Sequence, residues 1–222
     1  MLLGLLAAQE HRGASGGLAL PSPMSCCGPT LHMAMLHRFL ITVLPSEGLA
    51  EAVIALRNTL YAGIGSFSGR HVPPHITLCF LDLPAACGHA ITDAMAGCVA
   101  NLRSFTLQYD GITHFPDKRT IYIDLVETEA IATVRTPIVA AMKSNDTLRE
   151  AIRETDHPHL TIAAGLKPAQ FERAWESLAP HVSHPAFSGE CRSKERVTGL
   201  VLLRRELRPG ARYEHLRSFP LG

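Results

Sequence analysis

Two short stretches carry the residues best suited to chemistry. Pro74-His75-Ile76-Thr77-Leu78 and Pro158-His159-Leu160-Thr161-Ile162 share one order: proline, histidine, apolar, threonine, apolar. Side chains on a strand alternate between faces with period two. His75 and Thr77 then share a face, with Ile76 and Leu78 turned to the core. His159 and Thr161 share a face in the same way, backed by Leu160 and Ile162. The prolines fix φ and withhold a backbone donor, so each motif opens a strand or lies at an edge. If the two faces oppose each other, two imidazoles and two hydroxyls converge on one cleft.

That set suits displacement at a phosphodiester without a metal. The attacking and leaving oxygens lie roughly in line, and charge spreads over the equatorial oxygens. One histidine takes a proton from the attacking hydroxyl or water, and the other gives one to the leaving oxygen. Each transfer is worth about 10²–10⁴-fold, and an imidazole titrates near neutrality, as both roles require. The threonine hydroxyls can donate to the equatorial oxygens as charge builds there. A lone H-x-T is a weak signal: about 0.8 copies are expected by chance in a chain with 12 histidines. Two copies in the same apolar frame, each behind a proline, are a much stronger one. The plain alternative is a pair of strands with half-buried, hydrogen-bonded histidines.

The surrounding pattern places both motifs alike. "HRFLITVLP" (His37 to Pro45) is β-rich and alternates, and Ser46 stands where it can cap a helix. Leu49, Val53, Leu56 and Leu60 then repeat at helical spacing. "HITLCFLDL" is the next strand. Ile91, Ala94, Met95, Cys98, Val99 and Leu102 form a second helical stripe, and "SFTLQYDGI" (Ser104 to Ile112) returns to strand. After "HFPDKR" the order starts again. "TIYIDLV" (Thr120 to Val126) is a strand. Ile131, Val134, Ile138 and Met142 mark a helix, which Pro137 is expected to kink or delay. "HLTIAAG" (His159 to Gly165) is a strand, and Pro168 suits the first turn of a helix through Phe171, Ala174, Trp175 and Leu178. "AFSGECR", "RVTGLVLLRREL" and the stretch from Arg212 to Leu221 close the chain as strands. Strand-helix-strand-helix-strand thus occurs twice, with the motif on the middle strand each time. An internal duplication is expected, with lobes of roughly 35–116 and 117–222.

Paired H-x-T-x motifs on duplicated lobes resemble the 2H phosphoesterase superfamily. More narrowly, the chain is similar to the bacterial RNA 2′,3′-cyclic phosphodiesterases, also called 2′-5′ RNA ligases. The likeness runs from about Met35 to the end, through "RFLITVLP", "FPDKRTIYIDL" and "LVLLRRELRPGARYEHLRSFPL". It implies a duplicated α+β bilobal fold, with two antiparallel-type sheets flanking a central cleft and helices outside. It implies His75 and His159 as the catalytic pair, Thr77 and Thr161 as phosphate-binding hydroxyls, no metal and no cofactor. The implied reaction is hydrolysis of 2′,3′-cyclic phosphates, at RNA ends or on nucleotides, to 2′-phosphates, with ATP-independent 2′-5′ ligation of matching ends as an accompanying activity. The chain departs from the family's pattern in two places. "AAG" (Ala163 to Gly165) stands where a basic residue is expected, and "LDL" where leucine-glycine often follows the first motif. These bear on the substrate rather than on the catalytic set. The competing activities are another 2H-type cyclic nucleotide or ADP-ribose cyclic phosphate diesterase, and a non-catalytic RNA- or nucleotide-binding module.

Composition narrows the setting. The 222 residues are 46% hydrophobic and 18% charged, with net charge +1, so no global field draws the chain onto long nucleic acid or a membrane. RNA ends or cyclic nucleotides are the expected substrates, and a monomer the expected state. Cys26, Cys27, Cys79, Cys87, Cys98 and Cys191 show no C-x-x-C pair, which points to a reducing, cytoplasmic compartment. Residues 1–34 are rich in Gly, Ser and Pro, with an apolar start too short to span a bilayer. They are expected to form a disordered leader, or an over-extended gene start before Met33 or Met35, and 35–222 a single domain. His71 and His157 flank the motifs, but the prolines at 73, 74 and 158 break the helical spacing of an H-E-x-x-H zinc site. His157 could instead line the rim of the cleft. Arg119 and Tyr122 open the second lobe, where sheet packing explains them as well as base stacking does. The basic tail, from Arg192 to Arg217, is interspersed with glutamates and reads as a solvated face.

Overall fold

The computed structural model describes residues 35–126, 129–181 and 194–222. In chain order the elements are β1 (Leu36–Val43), α1 (Glu47–Ile64), β2 (Ile76–Pro84), α2 (Gly88–Val99), β3 (Phe105–Phe115), β4 (Thr120–Leu125), α3 (Glu129–Lys143), β5 (Ile152–Glu154), β6 (Leu160–Ala163), α4 (Pro168–Leu178), β7 (Lys194–Val197), β8 (Gly199–Glu206) and β9 (Glu214–Pro220). The expected leader at 1–34 and the expected strand "AFSGECR" lie outside the described residues.

Alternation and helical stripes account for most of these elements. On β1, Phe39, Ile41 and Val43 are fully buried and face the helices. Val53, Leu56 and Leu60 bury the inner face of α1, and Ile91, Met95 and Val99 that of α2. Ser46 holds the N-cap position of α1, but its hydroxyl makes no capping bond. Pro137 lies inside α3 and does not delay it, since the helix already runs from Glu129. Pro168 opens α4 as expected. "RVTGLVLLRREL" is two strands rather than one. β7 pairs with β3, whereas β8 pairs with β1 and β9, so the chain passes from one end of the sheet to the other at Thr198. Gly199 suits that crossing: a Cβ there would lie 3.2 Å from the Phe219 carbonyl oxygen.

The fold is α+β and duplicated, with an antiparallel sheet and helices on one face. The described strands run β7-β3-β4-β6-β2-β1-β8-β9, with β5 paired to β2. The two expected sheets are therefore the halves of one sheet, joined where Ile76 of β2 pairs with Leu160 of β6. The order reads symmetrically outward from this joint, with β6 matching β2, β4 matching β1, and β3 matching β8. Each half takes strands from both sides of residue 116, since β3 lies beside β4 and β8 beside β1. The helices cross over as well: α1 packs on β6 and α4, while α3 packs on β2 and α2. Ile76, Leu78, Leu160 and Ile162 are fully buried in the core beneath these helices. Among the described residues no helix is long and apolar enough to cross a membrane.

Candidate active site

Each motif begins at the foot of its strand. His75 immediately precedes β2 and His159 immediately precedes β6. The proline before each is buried and both histidines are half-buried. His75 Nδ1 lies 2.7 Å from the Pro73 carbonyl oxygen, and His159 Nδ1 lies 2.7 Å from the His157 carbonyl oxygen. A carbonyl can only accept, so Nδ1 carries the proton in both rings. The neutral ring then presents Nε2 as an acceptor, and the charged ring presents it as a donor.

The register brings the two motifs together. Ile76 opposite Leu160 in an antiparallel pair sets His75 across from Thr161 and Thr77 across from His159. Ile76 and Leu160 point to the core, so all four polar side chains share the opposite face. The motifs lie on neighbouring strands of one sheet, not on two opposed sheets. The histidines occupy one diagonal of the rectangle, a relation in which residues lie roughly 7–8 Å apart and their Cβ atoms somewhat closer. The threonines occupy the other.

Both strands bulge at the last position of the motif. Against β1, Thr77 pairs with Thr42 and Cys79 with Ile41, so Leu78 is an extra residue. Against β4, Thr161 pairs with Tyr122 and Ala163 with Ile121, so Ile162 is the extra one. A bulge bends its strand and re-aims the side chains beyond it. Leu78 and Cys79, like Ile162 and Ala163, are consecutive and fully buried.

Burial pulls the proton affinity of both histidines below the ordinary imidazole value. For His75 the charges of Arg57 and His159 act in the same direction, against the Pro73 bond. For His159 the charges of His157 and Lys118 add to burial, while the His157 carbonyl and Asp124 oppose it. At neutral pH the free site therefore favours two neutral rings.

Aromatic walls flank the rectangle. On the β6 side, Phe115 stacks on Tyr122 at 4.3 Å, and both rings meet His159, at 5.0 and 4.8 Å. His157 lies beside them with Nε2 2.9 Å from Asp124 Oδ1. On the β2 side the Tyr213 ring lies 6.1 Å from that of His75, with the Arg205 guanidinium 5.0 Å over it. Thr42 is fully buried beside Thr77, and its hydroxyl donates to the Val201 carbonyl at 3.1 Å.

Several residues weighed in the sequence sit elsewhere. Arg119 donates to the Leu166 carbonyl at 2.8 Å. His71 is exposed. Ala164, in the "AAG" stretch, exchanges backbone hydrogen bonds of 3.2 Å with Ser68. In the tail, Arg204 pairs with Glu214 and Arg208 with Glu206, while Arg192 and Cys191 lie outside the described residues. Phe115, Asp124, Tyr213 and Arg57 were not singled out by the sequence. Only Arg57 left a signal there: it falls between Val53 and Leu60 on the apolar stripe of α1, where a charge is out of place.

Comparison with known proteins agrees with this architecture. The sequence model of the 2′-5′ RNA ligase superfamily matches residues 45–209. E. coli LigT, in its complex with 3′-AMP, superposes with a TM-score of 0.58 at 19% identity, covering 84% of this chain and 98% of that one. TT0787 of Thermus thermophilus superposes with a TM-score of 0.61 at 20% identity, covering 83% and 97%. These likenesses concern the fold. No curated protein matches the sequence.

Proposed function

Since the chain belongs to the 2′-5′ RNA ligase superfamily, and is in general terms a phosphodiesterase or ligase, we propose that it opens 2′,3′-cyclic phosphates to 2′-phosphates. The substrate is an RNA end or a nucleotide. The observation that carries the proposal is the Ile76–Leu160 register, which sets two imidazoles and two hydroxyls around one point on one face.

The phosphate sits over the rectangle, between the two histidines. One neutral ring, with its Nδ1 proton held by a backbone carbonyl, accepts a proton from water at Nε2 as the water oxygen bonds to phosphorus. The bond from phosphorus to the 3′ oxygen breaks, and the other histidine, which takes up a proton when the anionic phosphate lies beside it, delivers that proton from Nε2 to the leaving oxygen. The products are a 2′-phosphate and a 3′-hydroxyl. Thr77 and Thr161 donate to the non-bridging oxygens as charge builds on them. With an RNA 5′-hydroxyl attacking in place of water, the same steps form a bond from phosphorus to the 5′ oxygen as the bond to the 3′ oxygen breaks, which gives 2′-5′ ligation without ATP. The aromatic walls offer π faces to a nucleobase, and a net charge of +1 favours a small substrate or an RNA end over long RNA.

The test is turnover of a 2′,3′-cyclic mononucleotide beside an oligonucleotide ending in a cyclic phosphate, with products assigned by ³¹P NMR. The proposal expects the 2′-phosphate isomer. A 3′-phosphate product, or binding without turnover, would overturn it.

A further inference from the structure

We infer that Arg57 is a positioning residue: it holds the two histidine motifs at their working separation and sets a fixed positive charge behind His75. The inference rests on the phosphodiesterase reading for its kinetic consequences, though not for its electrostatic ones.

The Arg57 guanidinium is held on three sides. Nη1 donates to the Val72 carbonyl at 2.5 Å, Nη2 to the Thr161 carbonyl at 2.7 Å, and Nε to the Ile162 carbonyl at 3.1 Å. Val72 lies three residues before His75, and Thr161 and Ile162 end the second motif. One rigid, planar fork thus ties the approach to the first histidine to the strand carrying the second. Ile162 is also the extra residue of the β6 bulge, so the fork fixes the backbone where the ladder with β4 is irregular.

The charge is unusual for its place. Arg57 is 2% exposed, and among the described residues no carboxylate pairs with it. Burial pushes its pKa down to about 10, which leaves it charged at neutral pH. An apolar residue on this stripe would pack without the cost of burying a cation. The second repeat has a counterpart on α3, where Arg135 Nη1 donates to the Thr155 carbonyl, four residues before His159. Arg135, however, has Glu154 at 3.8 Å. The two histidines therefore meet different fields. His75 faces Arg57 from α1, His159 from β6, and Tyr213, beside Arg205, from the segment before β9. His159 faces His157, Lys118 from the β3–β4 turn, Tyr122, and the carboxylate of Asp124 on β4.

Two variants separate the fork from the charge. Arg57→Lys keeps the charge but loses the fork. Folded Arg57→Lys should lose about 10–10²-fold in kcat, as expected for a small misplacement of reacting groups, with KM and the imidazole titrations nearly unchanged. Arg57→Met loses both. Its kcat should fall at least as far, and NMR titration should show the His75 imidazole moving to higher pH while His159 stays. The kinetic limb that moves with His75 then shows whether that ring is the base or the acid. If Arg57→Met does not fold, the kcat of Arg57→Lys decides. A folded lysine variant with wild-type kcat, or a methionine variant with His75 unmoved, overturns the inference. Wild-type protein inert towards cyclic phosphates would refute the reaction instead, and the NMR titration would still test the charge.

Discussion

The threonines offer a sharp test, because the structure predicts unequal effects. Thr77→Val and Thr161→Val keep the β-branched shape that suits a strand and remove one donor each. Neither residue faces the core, so the melting temperature should barely change. Loss of one donor to a developing oxyanion costs about 10–10³-fold in kcat, or roughly 1.4–4 kcal/mol of transition-state stabilisation. The cost depends on whether a neighbouring donor can take over. Thr77 lies opposite Thr42, whose hydroxyl is already given to the Val201 carbonyl. Thr161 lies opposite Tyr122, on the same face and within the aromatic wall. Thr77→Val should therefore fall in the upper part of the range and Thr161→Val in the lower, with KM nearly constant in both. Serine at either position should restore most of the rate. Steady-state kinetics on a 2′,3′-cyclic nucleotide, alongside thermal melts, measures all of this. If both valine variants turn over at the wild-type rate, the threonines are ordinary strand residues.

His75→Ala and His159→Ala should each remove nearly all activity, and the double variant should be little worse, because groups acting in one concerted step are non-additive; appreciable turnover by either single variant would refute the acid–base pair. Activity should survive exhaustive chelation, as two imidazoles and two hydroxyls already supply proton transfer and charge stabilisation; loss on chelation with recovery on adding zinc or manganese would refute this. Stability should also depend on the histidines. Their folded pKa values lie below the ordinary value, so the unfolded chain binds more protons as pH falls through ~6.5. The contribution they make above that pH is lost as pH drops towards their folded values. Melting temperature measured from about pH 7 to pH 5 should therefore fall more steeply for wild type than for a His75→Asn, His159→Asn double variant.

The face of each motif was legible because period two is a local property, and Ile76, Thr77, Leu160 and Thr161 obey it. The partner strand was not, since nothing in "PHITL" specifies that Ile76 will meet Leu160 rather than another edge. Placing the motifs on adjacent strands instead of opposed sheets is a matter of long-range register. The bulges escaped for a related reason: Leu78-Cys79 and Ile162-Ala163 read as apolar runs, and only the β1 and β4 ladders show that one residue of each pair is extra. β5 spans three residues, too few to show alternation. Asp124 and Tyr213 reach the site from strands and connections distant in sequence, and their types are common on any surface. Arg57 was there to be seen, as the one charge on the buried stripe of a helix otherwise read for its leucines.

The interleaving of the sheet also bears on how the site comes into being. β1 ends at Val43, yet the strand covering its outer edge begins at Gly199. While the chain is being synthesised, β1 and β2 can pair early, once α1 and the loop after it have emerged, but the outer edge of β1 stays open until residues 199–206 emerge. An uncovered apolar edge invites pairing with other chains, and such distant pairings close slowly. The first motif, complete by residue 78, must then wait for the second, which cannot be docked before Leu160 exists to pair with Ile76. Catalytic competence is thus acquired late and all at once, and a ribosome stalled anywhere before β8 would carry a chain with an exposed sheet edge.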